Sequence, residues 1–286
     1  MKKQILSILL CIAIQQVASA QNEGRFSFYT GISKTTLSNP DDVSYGDLLP
    51  TFKPTYGVSG EYHFTVFKRL PLGLSFNFEQ AKMGQNYYGE YQDSTKYYAY
   101  SRLNYTRLGM QFHFGTNPRR QVALVGSFGA NLAFLNKYQD RYELIRYNND
   151  RLIMDIKNSS VTLYDTANLK GTLKNPLYNN FDLQLVGTLG LDFLISKKVV
   201  FGFFGRLDYG MNPVETNKES DINLETEPAS VFEYKPAYLS VKYRGPYSDT
   251  KVRKETKNNA IGFYLTVKYR LFNPEKIEFY YREKTF

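Results

Sequence analysis

The stretch AIGFYLTVKYRL, residues 260–271, decides the fold. Ile261, Phe263, Leu265, Val267, Tyr269 and Leu271 fall on one side of a period of two, and Ala260, Gly262, Tyr264, Thr266, Lys268 and Arg270 on the other. Such a period describes a strand whose two faces meet different surroundings. The same split runs through 181–195, where Phe181, Leu183, Leu185, Leu189, Leu191, Phe193 and Ile195 oppose Asp182, Gln184, Thr188, Gly190 and Asp192. At 72–79, Leu72, Leu74, Phe76 and Phe78 oppose Gly73, Ser75, Asn77 and Glu79. Further copies lie at 25–33, 55–64, 121–134 and 199–209, and a ragged one at 103–114 is clean from Arg107 onward. Eight strands result.

The gaps between these stretches alternate in length. Thr65–Leu70, Gly115–Arg120 and Ser196–Lys198 are short, whereas the intervening gaps are long, with 135–180 and 210–258 the longest. Strict alternation gathers all long connections at one end, as in outer-membrane barrels with short periplasmic turns and long external loops. The expected fold is an all-β, up-and-down antiparallel transmembrane barrel of eight strands. Ten remain possible, because 141–165 and 231–243 carry enough apolar and aromatic residues to form external hairpins. Each short turn has a dibasic pair, Lys68 and Arg69, Arg119 and Arg120, Lys197 and Lys198, read as solvated turn residues.

Lys2 and Lys3, an apolar run from Ile5 to Ile14, and Ala18-Ser19-Ala20 form a secretory signal pattern, so 1–20 is expected to be a cleaved leader. The barrel then occupies 21–272, and 273–286, after Asn273 and Pro274, is a periplasmic tail. The single cysteine, Cys11, lies in the leader; the expected mature chain has neither disulfide nor thiol chemistry. No later run is apolar enough for a spanning helix, a test that barrels escape because half of every strand is polar. The net charge of +9 falls to +7 once Lys2 and Lys3 are gone, 34 basic residues against 27 acidic ones. Scattered along an exported chain, that excess does not make a nucleic-acid surface.

Alternation alone does not say which face points inward, but the polar face does. It is rich in small residues, among them Gly57, Ser59, Gly73, Ser75, Gly109, Ser127, Gly129, Gly190, Gly202 and Gly262. A solvated exterior has no steric reason to be small, whereas the lumen of an eight-stranded barrel is barely wide enough for its side chains. The charges on that face nearly cancel: Glu61, Glu79, Asp182, Asp192 and Asp208 against Arg107, Arg206, Lys268 and Arg270. An enclosed charge needs a partner, so these residues are expected to form a paired lumen network that leaves no open channel. Tyr62, Phe64, Phe112, Phe114, Phe193, Tyr269 and Phe272 form a girdle at the periplasmic interface.

The segment Leu103-Asn104-Tyr105-Thr106-Arg107-Leu108-Gly109-Met110, together with the leader ending in Ala-Gln and the eight amphipathic strands, resembles the PorT-like outer-membrane β-barrel families of Bacteroidetes. Gly109 stands where that family commonly has proline. The resemblance implies a barrel of the cell envelope and, through the family's named member, a link to type IX secretion.

Catalysis is not expected. Serine hydrolysis needs an imidazole that bonds the hydroxyl and is itself oriented by a third group, and His63 and His113, the only histidines, both map to the inward face. His63 with Glu61 and Ser59 is the nearest approach to such a set. No cofactor is implied, and Asp41, Asp42 and Asp47 lack the spacing of a calcium loop. The expected partners are outer-membrane lipid and envelope or secretion proteins; the external ligand is left open. The leading expectation is a non-enzymatic barrel acting through 135–180 and 210–258. Two alternatives are a biogenesis or secretion component working from the periplasmic side and a lipid-modifying enzyme.

Overall fold

The computed structural model describes residues 23–40, 47–49, 51–66, 70–90, 96–116, 121–145, 151–164, 168–173, 176–216, 222–224 and 255–272. The expected leader, the tail and most of 210–258 lie outside them. Thirteen strands form in chain order: β1 (Glu23–Ser38), β2 (Asp47–Leu49), β3 (Thr51–Val66), β4 (Leu70–Glu90), β5 (Lys96–Gly115), β6 (Val122–Ile145), β7 (Arg151–Lys157), β8 (Ser160–Tyr164), β9 (Asn168–Leu173), β10 (Phe181–Leu194), β11 (Val199–Gly210), β12 (Ile222–Leu224) and β13 (Lys257–Phe272).

Eight of them close a ring. The antiparallel order β1-β3-β4-β5-β6-β10-β11-β13 returns to β1, which pairs with β13 from Ser38↔Lys257 down to Gly24↔Phe272. Closure gives each ring strand a hydrogen-bonded neighbour on both sides, the condition for crossing a bilayer with strands. The eight are the stretches read from the alternation, and the extra strands do not enter the ring.

Side chains obey the expected division. Phe28, Phe76, Phe128, Leu189, Ile261 and Phe263 stand outward, and Phe76 is 62% exposed; Arg107, Glu79 and Asp208 stand inward, and Arg107 is fully buried. Hydrophobes outside and charges inside invert the soluble pattern and fit a wall solvated by lipid. Glycines show the same sidedness. A Cβ at Gly190 would lie 2.1 Å from the Phe203 carbonyl oxygen and 2.7 Å from the Phe204 Cα, whereas at Gly187, on the opposite face of the same strand, nothing lies within 4 Å.

Toward the long-loop end the strands run well past the stretches read from sequence. Asn86, Tyr87, Tyr88 and Gly89, expected in a connection, pair with Tyr97–Tyr100 as the outer part of β4 and β5. Above the lipid belt both faces are polar or aromatic, so the contrast that reveals a strand fades while the hydrogen-bond ladder continues. In β6 a bulge adds to this. Tyr105 pairs with Leu135 but Asn104 with Lys137, so Asn136 is the extra residue and the inward set changes from Asn131 and Ala133 to Tyr138, Asp140 and Tyr142.

That bulge marks a fork. Below it β6 pairs with β10, from Val122 to Phe134; above it the same edge pairs with β7, which continues through β8 and β9 to β12. The described residues of the loop 135–180 thus form an arm beside the ring. Its β7–β8 turn is held by Asn158 at φ 54°, a conformation asparagine tolerates in tight hairpins. The Asn158 side-chain oxygen accepts from the Tyr138 amide at 3.0 Å, and the Asn158 amide donates to the Tyr138 carbonyl at 3.1 Å.

Gly190→Val is expected to overpack the lumen and cost at least about 1–3 kcal/mol, with Gly187→Val close to neutral. Urea unfolding of the refolded barrel, followed by heat-modifiable gel mobility, reads both.

Candidate functional site

Two sites follow from this wall: the lumen it encloses and the mouth the arm covers. Halfway along the lumen Glu79 of β4 takes two guanidinium groups. Arg107 Nη1 donates to Oε1 at 2.9 Å, while Arg206 donates through Nη1 to Oε2 at 2.7 Å and through Nη2 to Oε1 at 2.8 Å. Asp208 closes the group, accepting from Arg206 Nε at 2.8 Å and from Arg107 Nη1 at 3.2 Å. Tyr29 donates to Glu79 at 2.9 Å, and the Arg206 guanidinium lies 5.0 Å from the centre of the Tyr264 ring. Four charges from β4, β5 and β11 are thereby locked together with their hydrogen-bonding capacity largely used.

A second chain of charges lies nearer the short-turn end. Arg25 Nε and Arg270 Nε each stand 2.6 Å from Glu23, Arg25 Nη1 is 3.2 Å from Asp192, and Lys268 Nζ is 3.1 Å from Asp192 and 3.5 Å from Glu61. Glu61 also accepts from Ser27 at 2.7 Å and lies 3.0 Å from His63 Nε2. Glu23 and Arg25 are absent from the expected network: Glu23 precedes the 25–33 stretch, and that stretch shows itself by its apolar face, Phe26, Phe28 and Ile32. Arg25 shares the phase of Ser27 and Tyr29, which was the available signal.

Of the nine residues expected in the network, Asp182 alone has no oppositely charged group within 4.0 Å among the described residues. Its carboxylate accepts from Gln184 Nε2 at 2.8 Å, Asn258 Nδ2 at 3.4 Å and the Asn212 amide at 3.3 Å. It therefore belongs to an amide-bonded layer above the ion pairs, together with Tyr105, whose hydroxyl accepts from Asn258 at 3.0 Å.

Between the two charge groups remains a cavity of about 60 Å³. Ser75, Gln111, His113, Thr188 and Thr266 are among its lining residues. A water needs about 10–15 Å³ by this measure, so the space suits a few waters and is too small for a solute path. His113 Nε2 lies 2.8 Å from Ser75 Oγ, while His113 Nδ1 has no partner. The serine–imidazole pair lacks the oriented acid that would activate it. In the set suggested by spacing, Glu61 contacts both His63 and Ser59, the latter at 3.4 Å, and lies between them.

The outer mouth is closed by apolar packing. Inward residues at the long-loop end of the ring, Leu37, Met83, Leu103, Tyr105 and Ala260, form one buried cluster with Leu152, Met154, Ile156, Val161 and Leu163 of the arm. Tyr178 ties the arm's return to the wall: its hydroxyl donates to Asp140 at 2.8 Å, and its ring stands edge-on to Tyr138 at 5.0 Å. Tyr142, Leu152, Met154, Ile156, Val161 and Leu163 of the 141–165 segment thus pack into the mouth cluster.

A closed ring with a lipid-facing belt agrees with the family match. The profile of the outer membrane protein beta-barrel domain matches residues 16–215. The chain belongs to that family. As a family member it is an outer-membrane β-barrel protein, and the outer membrane is its location. Among solved structures, this barrel is similar to OprG from Pseudomonas aeruginosa, at 11% identity and TM-score 0.37, covering 87% of this chain and 96% of that one. The attachment invasion locus protein Ail of Yersinia pestis matches at 11% identity and TM-score 0.30, over 86% and 99%. The outer membrane protease OmpT from Escherichia coli matches at 7% identity and TM-score 0.34, over 88% and 97%. No curated protein sequence matches the barrel.

Arg206→Met leaves Glu79 and Asp208 to share Arg107 alone, one acid in excess in the buried lumen, and is expected to lower unfolding stability by about 3–5 kcal/mol, the cost of breaking a buried pair; urea titration in detergent micelles checks it.

Proposed function

We propose that this outer-membrane barrel is non-enzymatic and acts through its outward surface, binding an external ligand or a protein partner with the arm and the loops around it. The observation carrying this reading is the sealed mouth: an arm that buries its own apolar residues over the lumen while keeping Tyr164 and Lys170 exposed. Loops held rigidly on a scaffold are where such folds carry function.

The lumen argues against the alternatives that need it. Among the described residues the ion-paired layers and the apolar cluster fill the lumen, which speaks against solute passage. His63 and His113 are turned away from lipid, and neither sits beside a serine with an acid behind it, which speaks against chemistry on lipid substrates. A PorT-like kinship with a place in secretion rests on the leader ending in Ala-Gln, the eight amphipathic strands and the segment Leu103–Met110. In this barrel Leu103 and Tyr105 from that segment fill the mouth cluster and Arg107 holds Glu79. Packing accounts for those residues without a secretion partner.

A photo-crosslinking residue at Tyr164 on the arm is expected to capture a discrete partner in intact cells, while one at Lys197 in the β10–β11 turn captures none. Adducts formed only from Lys197 would support the periplasmic reading and overturn this one.

A further inference from the structure

The outward wall changes character just above the apolar belt, and the change is sharpest on β4 and β5. On β4, Phe76 and Phe78 are followed on the same face by Gln80 and Lys82; on β5, Met110 and Leu108 give way to Thr106, Asn104 and Arg102. A seam of neutral polar groups marks the boundary. Thr106 Oγ1 accepts from Gln80 Nε2 at 2.7 Å and from the bulged Asn136 Nδ2 at 2.7 Å, and Asn136 also donates to Gln80 at 3.4 Å.

Beyond the seam come cations. Lys82 pairs across the ladder with Asn104 and Gly84 with Arg102, so exposed Lys82 and Arg102 are diagonal neighbours on adjacent strands. Lys53 approaches them from a lumen-phase position of β3, between buried Thr51 and Thr55; it is only half-buried because β3 parts from β4 there, the last pair between those strands being Thr55↔Ala81. The charges of both Arg102 and Lys82 act on the Lys53 ammonium. Arg102 is held with its guanidinium carbon 4.1 Å from the centre of the Tyr100 ring.

None of the three cations has an acidic partner among the described residues, in contrast to Arg25, Arg107, Arg206, Lys268 and Arg270 in the lumen. Two cations on the outer face and a third at the gap between β3 and β4 repel one another, and the arrangement becomes favourable when an anion sits among them. The cluster stands at the long-loop end, directly above a lipid-facing belt, where the headgroups of the external leaflet lie. A guanidinium fork beside two ammonium groups suits phosphate oxygens.

We propose that Lys53, Lys82 and Arg102, with Tyr100 and the Gln80–Thr106–Asn136 seam beneath them, form a site for the phosphorylated headgroup of an outer-leaflet glycolipid. The acyl chains of that lipid would run down the apolar face below, along Phe78 and Leu108. Annular lipid is thus held at one fixed place on the wall. This site touches the arm only at its root, Asn136, and does not depend on any partner the arm binds.

Native mass spectrometry of the full barrel released from detergent tests the site, with bis-phosphorylated lipid A, the same lipid dephosphorylated, and inorganic phosphate as probes. The phosphorylated lipid is expected to form a one-to-one adduct and the dephosphorylated lipid to bind at least about ten-fold more weakly. K82Q/R102Q should weaken the adduct by a similar factor while heat-modifiable mobility stays intact, and K170Q on the arm should leave it unchanged. Should the double variant not fold, K53Q alone is expected to reduce the adduct measurably. Equal binding of the two lipids, indifference to these substitutions, or displacement of the lipid by millimolar phosphate would each overturn the proposal, the last by assigning the cluster to the free anion.

Discussion

The constraint on which the rest of this molecule depends is the grip of two guanidinium groups on Glu79 inside a ring of eight strands. A lumen that narrow has room for long side chains only where the facing positions are small. The Cβ that Gly57 lacks would lie 2.7 Å from the Tyr29 ring, and the Cβ that Gly73 lacks would lie 2.8 Å from His63 Nδ1. Charges enclosed there persist because they are paired. Breaking a pair is costly, yet such pairs add little over well-packed hydrophobes. Their consequence is specificity: register, sidedness and a closed interior are fixed together, because a slip of one residue would turn every charge toward lipid.

The outer end is organised differently. Above the bulge at Asn136 the wall no longer has to satisfy lipid, and β6 exchanges β10 for β7 as its neighbour. The arm that begins there is stabilised like a small soluble domain, by apolar burial against the inward faces of the ring. Tyr178, Asp140 and Ser101 add polar contacts, the hydroxyls of Tyr178 and Ser101 lying 3.0 Å apart. One chain thus carries two solvent regimes, apolar outward below the bulge and apolar inward above it.

That division explains what could be read in advance. The eight strands, their order of long and short connections and the inward direction of Glu61, Glu79, Arg107 and Arg206 were legible because each belt residue meets either lipid or lumen, and the two select opposite chemistry. The strand ends were not legible. Tyr87, Tyr88, Tyr97 and Tyr98 belong to the ladder where no such contrast exists, and the bulge at Asn136 breaks the phase that would have led from Ala133 to Tyr138. The arm was half legible: its apolar residues were visible, but nothing in their spacing said that they would cover the mouth and stay out of the ring. Asp182 was grouped with the ion pairs by its phase alone, and only three dimensions show that amide groups of Gln184 and Asn258 hold it.

A double-mutant cycle on Glu79 and Arg107 addresses the central claim most directly. Unfolding free energies of the parent barrel, Glu79→Gln, Arg107→Met and the combination, measured in the same micelles, give the coupling between the two side chains. Paired charges in a closed lumen require each single change to be severe and the combination to cost clearly less than their sum, with a coupling of about 1–3 kcal/mol. Additive losses, with no coupling, would contradict the account and mean that the charges face a wet channel.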